Sequence, residues 1–387
     1  MVRKHTDTVL QSSMTLMRQD LDLTITGCKS RQSIGLTPDL SRYTPSESKT
    51  IMERLDVQGL VFKYRQTDPT TQNLIENFML FYAIADKKPD GSLKTVTTNI
   101  PIDKEAFEWL KDAFRYFDVK MPEFHAQFIK TPKIRTTGTD TISCFSTGKD
   151  STYMTLATDS IPVHVTRINR STSTREIRAV EQFLPFLPRT PVIIPAYSSL
   201  KLGPGYQAYH LRDALMYMLM VPVAQDRKAN KIYSGAYSQS TKYSTTAEGV
   251  MRLNELLEKK GIRITVEHIT RLSEEEVIRR MIVQYPKAFA MTHPCVLDDM
   301  MFSIRRKWFT KKFPEYPLMP GSCGMCGKDI ELNMARLMHD PQVARISQDA
   351  QKQLATYYVQ RSQDKSIADF IEQELVEKVR QKYHLDR

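Results

Sequence analysis

The run Thr141-Ile142-Ser143-Cys144-Phe145-Ser146-Thr147-Gly148-Lys149-Asp150-Ser151-Thr152 sets the architecture of the chain. Thr141 to Phe145 reads as a buried strand, Ser146 to Lys149 as a turn of small and polar residues, and the chain from about Asp150 as a helix. A phosphate fits at such a junction. Exposed N–H groups at a helix N-terminus carry partial positive charge and bind anions, and the hydroxyls of Ser146, Thr147, Ser151 and Thr152 add hydrogen bonds. Gly148 lets the backbone approach a ligand closely. Lys149 offers a point charge, whereas Asp150 would repel a phosphate and reads better as a helix cap or a Mg2+ contact. A plain Asp-Ser cap with no ligand is the structural alternative.

Working outward, strands and helices alternate. A strand at Val163 to Ile168 is followed by a helix at Thr174 to Phe183, a strand at Pro191 to Pro195 and a helix at Tyr209 to Val221. A strand ending at Ile232-Tyr233-Ser234-Gly235, a helix at Ala247 to Lys259 and a strand at Ile262 to His268 complete the series. Regular alternation predicts an α/β fold, a doubly wound parallel sheet of the Rossmann-like kind, with ligands bound beyond the carboxyl ends of the strands. This domain is expected over residues 138–345. Residues 1–137 read as an N-terminal α+β module with helices at Leu74 to Tyr82 and Lys104 to Phe117 and a hairpin turn at Asp90-Gly91. Residues 346–387 read as a charged helical extension with apolar spacing at Ile367, Phe370, Ile371 and Leu375, suited to packing or a partner rather than catalysis.

At 387 residues and 41% hydrophobic content the chain can bury a large core, so disorder is not its leading class. No apolar run is long enough to cross a bilayer and no signal pattern opens the sequence, so a cytoplasmic protein without membrane partners is expected. The 55 Lys+Arg against 44 Asp+Glu give a net charge of +11, which suits polyanions without choosing among them. Five cysteines in a chain of this size argue against a disulfide framework. Cys323-Gly324-Met325-Cys326 can aim two thiolates at one metal, with Cys295 upstream and His293, Asp329 or His339 as the fourth ligand. A redox pair, or incidental cysteines, is the competing reading.

The segment Ser146-Thr147-Gly148-Lys149-Asp150-Ser151 resembles the Ser-Gly-Gly-x-Asp-Ser signature of the PP-loop ATP pyrophosphatases, with Thr147 where that family has its first glycine. Within that superfamily, this loop, Thr292-His293-Pro294-Cys295 and Ser322-Cys323-Gly324-Met325-Cys326 follow in the order of the 7-cyano-7-deazaguanine synthase family. That family holds a structural zinc on four cysteines, and Asp329 stands at the last of them. Gly203 to Asp213 is similar to its Pro-x-Arg-Asn helix opening, and Ser234-Gly235-Ala236-Tyr237 to the strand end that closes over the nucleotide. Ser238 and Tyr243-Ser244-Thr245-Thr246 replace acidic segments of the family.

The resemblance implies ATP, Mg2+ and Zn2+ as cofactors. It implies catalytic roles for Ser146, Lys149, Asp150 and Ser151, nucleotide binding by Ser146 through Thr152 with Gly235, and zinc ligation by Cys295, Cys323, Cys326 and Asp329. Arg167, at the end of the second strand, is added as a phosphate contact on its position and charge, with a solvated surface reading beside it. The implied reaction adenylates a carboxylate with loss of pyrophosphate, lets ammonia or another amine displace AMP, and in the family dehydrates the amide to a nitrile. Implied partners are ATP, a carboxylate-bearing substrate, a protein or nucleic-acid acceptor as in synthase-like members of bacterial anti-phage systems, and a second copy in a homodimer. Two alternatives stay open: an RNA-modifying enzyme such as a tRNA thiolase, and a catalytically silent nucleotide-binding subunit. Arg170, Arg175 and Arg178 are further phosphate candidates, Tyr233, Tyr237 and Tyr243 candidates for base stacking, and His210 for acid–base work, each with a packing or solvated reading beside it.

Overall fold

The computed structural model describes residues 21–30, 33–39, 41, 45, 60–63, 67–84, 93–136, 138–167, 172–197, 211–235, 243–268, 272–293, 299–364, 371 and 373–385. The first half carries β1 (Leu21–Ser30), β2 (Ser33–Asp39), β3 (Leu60–Lys63), α1 (Pro69–Ile84), β4 (Leu93–Thr98), β5 (Ile102–Asp103), α2 (Lys104–Tyr116), β6 (Glu123–His125) and β7 (Phe128–Ile129). The alternating series follows: β8 (Asp140–Cys144), α3 (Lys149–Thr158), β9 (Ile161–Arg167), α4 (Thr172–Phe183), β10 (Val192–Tyr197), α5 (Arg212–Asp226), β11 (Ala229–Ser234), α6 (Ala247–Lys259) and β12 (Thr265–His268). The chain closes with α7 (Glu274–Gln284), α8 (Pro286–Ala290), α9 (Asp299–Lys312), α10 (Gly327–His339), α11 (Gln348–Ser362) and α12 (Gln373–Tyr383).

β12, β11, β8, β9 and β10 lie side by side in that order, and every neighbouring pair is parallel. This is the parallel α/β sheet that the alternation predicts, compatible with a Rossmann-like fold. From β8 the chain winds outward through β9 and β10, then returns and winds the other way through β11 and β12. The reversal makes the carboxyl ends of β8 and β11 a switch point, the position at which open α/β sheets form a crevice and bind ligands. Strand periodicity sorts the two faces: Ile142 joins the core that holds α5 and α6, while Ser143 Oγ points to Thr155 Oγ1 on α3 at 2.7 Å. α3 and α4 bury Tyr153, Met154, Val180 and Phe183 in a second core on that opposite face.

The N-terminal segment extends this sheet. β3 pairs antiparallel with β10, placing Phe62 opposite Ala196, and β2, β1, β4 and β6 follow outward. α1 and α2 share the α5 core, with Leu74, Phe78, Phe81, Trp109 and Leu110 buried in it. Asp103 caps α2 by accepting from the Glu105 and Ala106 N–H groups. The same carboxylate meets Lys260 Nζ at 2.6 Å, which ties the segment to the end of α6. The hairpin turn expected at Asp90-Gly91 lies outside the described residues.

The extension expected as charged helix forms α11 and α12, whose Leu354, Tyr358, Leu375 and Val379 pack in the core that contains α10. Ile371 is buried there too, while Ile367 and Phe370 lie outside the described residues. The helix expected over Tyr209 to Val221 runs instead through the buried Pro222 to Asp226. Among the described residues no helix is long and apolar enough to cross a membrane.

Candidate nucleotide loop and metal site

The loop leaves β8 at the crevice. Thr147 adopts a left-handed backbone with φ of 60°, a conformation that favours glycine and costs a β-branched residue energy. Gly148 is the N-cap of α3 and makes no side-chain cap. A Cβ on Gly148 would meet no described protein atom nearer than Ser146 Oγ at 3.5 Å, so among the described residues nothing crowds this position. Ser151 Oγ bridges the turn, accepting from Ser146 N at 3.1 Å and donating to Gly148 O at 3.1 Å. Ser146 is exposed, whereas Thr147 and Thr152 are buried, so the hydroxyls of those two threonines do not face solvent at the mouth of the loop. The Thr152 Oγ1 atom has no hydrogen-bond partner among the described residues.

Two expectations for the loop's charges are corrected. Lys149 does not project from the loop toward a phosphate: its side chain is 6% exposed, and Nζ lies 2.8 Å from Asp150 Oδ1 and 2.8 Å from Glu274 Oε2. Asp150 sits in the first turn of α3 rather than at its cap, and its side chain keeps 28% exposure. Burial alone would lower the Lys149 pKa, but Asp150, Glu274 and Glu331 overcome it and raise it. Burial pushes Glu274 the other way, and the adjacent Lys149 charge wins, holding Glu274 down to about 2. Glu331 on α10, hydrogen-bonded to Glu274, is raised well above the ordinary carboxyl range by burial and by that neighbouring charge. Lys149, Asp150, Glu274 and Glu331 thus form one charge network joining α3, α7 and α10. Glu274 and Glu331 were not singled out in the sequence, where Glu274 reads as an ordinary acidic helix start after the Ser273 cap.

Gly235 follows β11 across the crevice. A Cβ there would stand 2.7 Å from Asp150 C and Ser151 N, so only glycine allows the strand end to touch the start of α3. Arg167 ends β9 at the same edge of the sheet, opposite Ala196, and its side chain lies outside the described residues. His293 N donates to Thr147 O at 2.9 Å, and a Cβ on Gly321 would collide with His293. The loop after β8 and the segment entering the cysteine turn are therefore packed together.

Cys323, Cys326 and Asp329 bring their ligand atoms within 4.8 Å of one another, a group that could hold a metal ion. Gly324 makes the turn possible with φ of 78°, and Asp329 Oδ2 accepts from the N–H groups of Cys323 at 2.8 Å and Gly324 at 3.0 Å. Oδ1 is buried and has no hydrogen-bond partner among the described residues. Burial, with Cys323 beside it, pushes the Asp329 carboxyl up to about 8. A buried carboxyl of this kind favours a proton or a cation, and two sulfurs with a carboxylate oxygen suit zinc. His339 is not part of the group: it lies at the far end of α10, where Nε2 pairs with Glu275 at 2.7 Å. His293 Nε2 faces Gln182 at 3.2 Å. Cys295 lies outside the described residues.

Of the remaining candidates, Tyr243 is withdrawn from base stacking, for it is fully buried against Trp109 and Tyr116 of the N-terminal segment, with centroids 5.3 and 5.4 Å away. Arg178 is exposed on α4. Arg170, the Arg175 side chain, Gly203 to His210 and Tyr237 lie outside the described residues. Comparison with protein-family models, curated proteins and solved structures returned no match.

Proposed function

We propose that the chain is a PP-loop ATP pyrophosphatase that activates a carboxylate as an adenylate for amide or nitrile formation, resembling the 7-cyano-7-deazaguanine synthase family and working in the cytoplasm. The observation that carries the reading is the loop Ser146 to Asp150 at the reversal point between β8 and β11, where parallel sheets bind ligands and where a Cβ on Gly148 would meet no described atom nearer than 3.5 Å. Backbone N–H groups at the start of α3, with the Ser146 hydroxyl, would hold the phosphates and stabilise charge developing on the leaving pyrophosphate. Asp150, partly exposed and carrying oxygen donors, suits Mg2+, which when bound neutralises the triphosphate.

The substrate carboxylate oxygen attacks the α-phosphorus and pyrophosphate leaves. An amine then attacks the acyl carbon, AMP leaves with the bonding pair, and the amine gives up a proton. Gly235 excludes bulk from the strand end and keeps the loop and substrate side in register. Cys323, Cys326 and Asp329, with Cys295 as the fourth ligand that the resemblance implies, would hold a structural zinc that braces the loop through His293. The positive charge of +11 favours an acidic macromolecular acceptor, protein or nucleic acid. The test is oxygen transfer: with an 18O-labelled candidate acid such as 7-carboxy-7-deazaguanine, adenylation places the label in AMP. Label retained wholly in the acid or amide, while AMP forms, would sink the acyl-adenylate route.

A further inference from the structure

Lys149 and Asp150 are adjacent in sequence, yet the lysine points into the protein and the aspartate is partly open to solvent. What turns the lysine inward is Glu274 at the start of α7, far along the chain, which takes the same ammonium at the same 2.8 Å as Asp150 does. Glu274 is in turn hydrogen-bonded to Glu331 on α10, whose first turn carries Asp329. An ammonium shared by two carboxylates neutralises neither completely, and partial burial strengthens the competition between them.

We propose that Glu274 is a positioning residue of the nucleotide site: by sharing Lys149 with Asp150, it keeps the Asp150 carboxylate negative toward the crevice, so that the loop takes a nucleotide more tightly as its Mg2+ complex than bare. This rests on the nucleotide reading of the loop given above. A loop that presents a carboxylate instead of a lysine repels bare triphosphate, and the cation reverses that repulsion. Removing the Glu274 charge would give Asp150 a larger share of the Lys149 ammonium, with Glu331 as the remaining acid beside it, and so weaken the charge the Asp150 carboxylate presents. Removing the Lys149 charge would do the opposite.

The opposed signs give the test. With the full chain, ATP affinity is measured by calorimetry in Mg2+ and in EDTA, and the ratio of the two affinities is compared between variants. The ratio is expected to fall roughly fivefold in Glu274→Gln, because binding in EDTA improves and binding in Mg2+ weakens. It is expected to rise in Lys149→Met. General damage to the fold would move both variants in the same direction. Equal ratios in all three proteins, or shifts of the same sign, would overturn the proposal while leaving the nucleotide reading intact. If Glu274→Gln does not fold, a ratio in Lys149→Met that stays level or drops overturns it alone. Failure of the unaltered chain to bind ATP in either condition overturns the nucleotide reading and this inference with it.

Discussion

The N–H of His293 donates to the carbonyl of Thr147 at 2.9 Å, holding the loop's one left-handed residue from the segment that leads to the cysteine turn. A threonine at φ of 60° is strained by about 1–2 kcal/mol, of which glycine's greater unfolded-state freedom would return part. Thr147→Gly should therefore stabilise the protein by about 1 kcal/mol in urea titration, and Thr147→Val should not. A Thr147→Gly protein less stable than its parent would mean that the hydroxyl, not the backbone, decides this position.

Gly235 is expected to be intolerant. Its added Cβ would fall 2.7 Å from backbone atoms of Asp150 and Ser151, which cannot swing aside as a side-chain tip can. Gly235→Ala should weaken Mg2+–ATP binding by about tenfold or more, because a displacement near 1 Å at a preorganised site has costs of that order. Retention of parental affinity in the variant would remove this strand end from the site.

The Lys260–Asp103 pair is almost wholly buried, with 1% and 0% side-chain exposure, and it joins α6 to the N-terminal segment. Lys260→Met should cost about 3–5 kcal/mol by removing the counter-charge of a buried carboxylate that keeps only its N–H and Thr131 donors, and adding Asp103→Asn should recover part of that. Burial raises the Asp103 pKa, but Lys260 and Thr131 overcome this and hold it below its ordinary 3.8. The pair's contribution is thus complete above the unfolded value and is lost as pH falls beneath it. Urea titrations between neutral pH and pH 3 should show the gap between parent and Lys260→Met narrowing in acid.

The cysteine turn should carry zinc in the purified protein. Cys323→Ser and Cys326→Ser should each lose the metal on elemental analysis. Asp329→Asn should lower zinc affinity yet keep an oxygen to accept from the Cys323 and Gly324 N–H groups, so that its far-ultraviolet circular dichroism stays native. Full zinc content in Cys323→Ser would leave the turn as a hydrogen-bonded cap only.

The parallel half of the fold was legible because its signals are local: β-branched and apolar strands, a small-residue turn at Ser146 to Gly148, and helical stretches such as Ala247 to Lys259 between them. The cysteine turn was legible for the same reason, since Cys323, Gly324 and Cys326 lie within one turn of chain. The inward lysine was not, because the group that turns it, Glu274, belongs to a distant helix where it reads as an unremarkable first-turn acid. Tyr243 misled likewise: its partners Trp109 and Tyr116 come from the N-terminal segment, whose pairing with β10 no local pattern announces.

The most direct measurement incubates the protein with Mg2+, ATP labelled at the α-phosphate, 7-carboxy-7-deazaguanine and ammonia, and resolves AMP, ADP and pyrophosphate, with Asp150→Ala as control. Labelled AMP and equimolar pyrophosphate, dependent on the acid and lost in Asp150→Ala, are the predicted result. Labelled ADP in place of AMP would contradict an adenylating function for the loop.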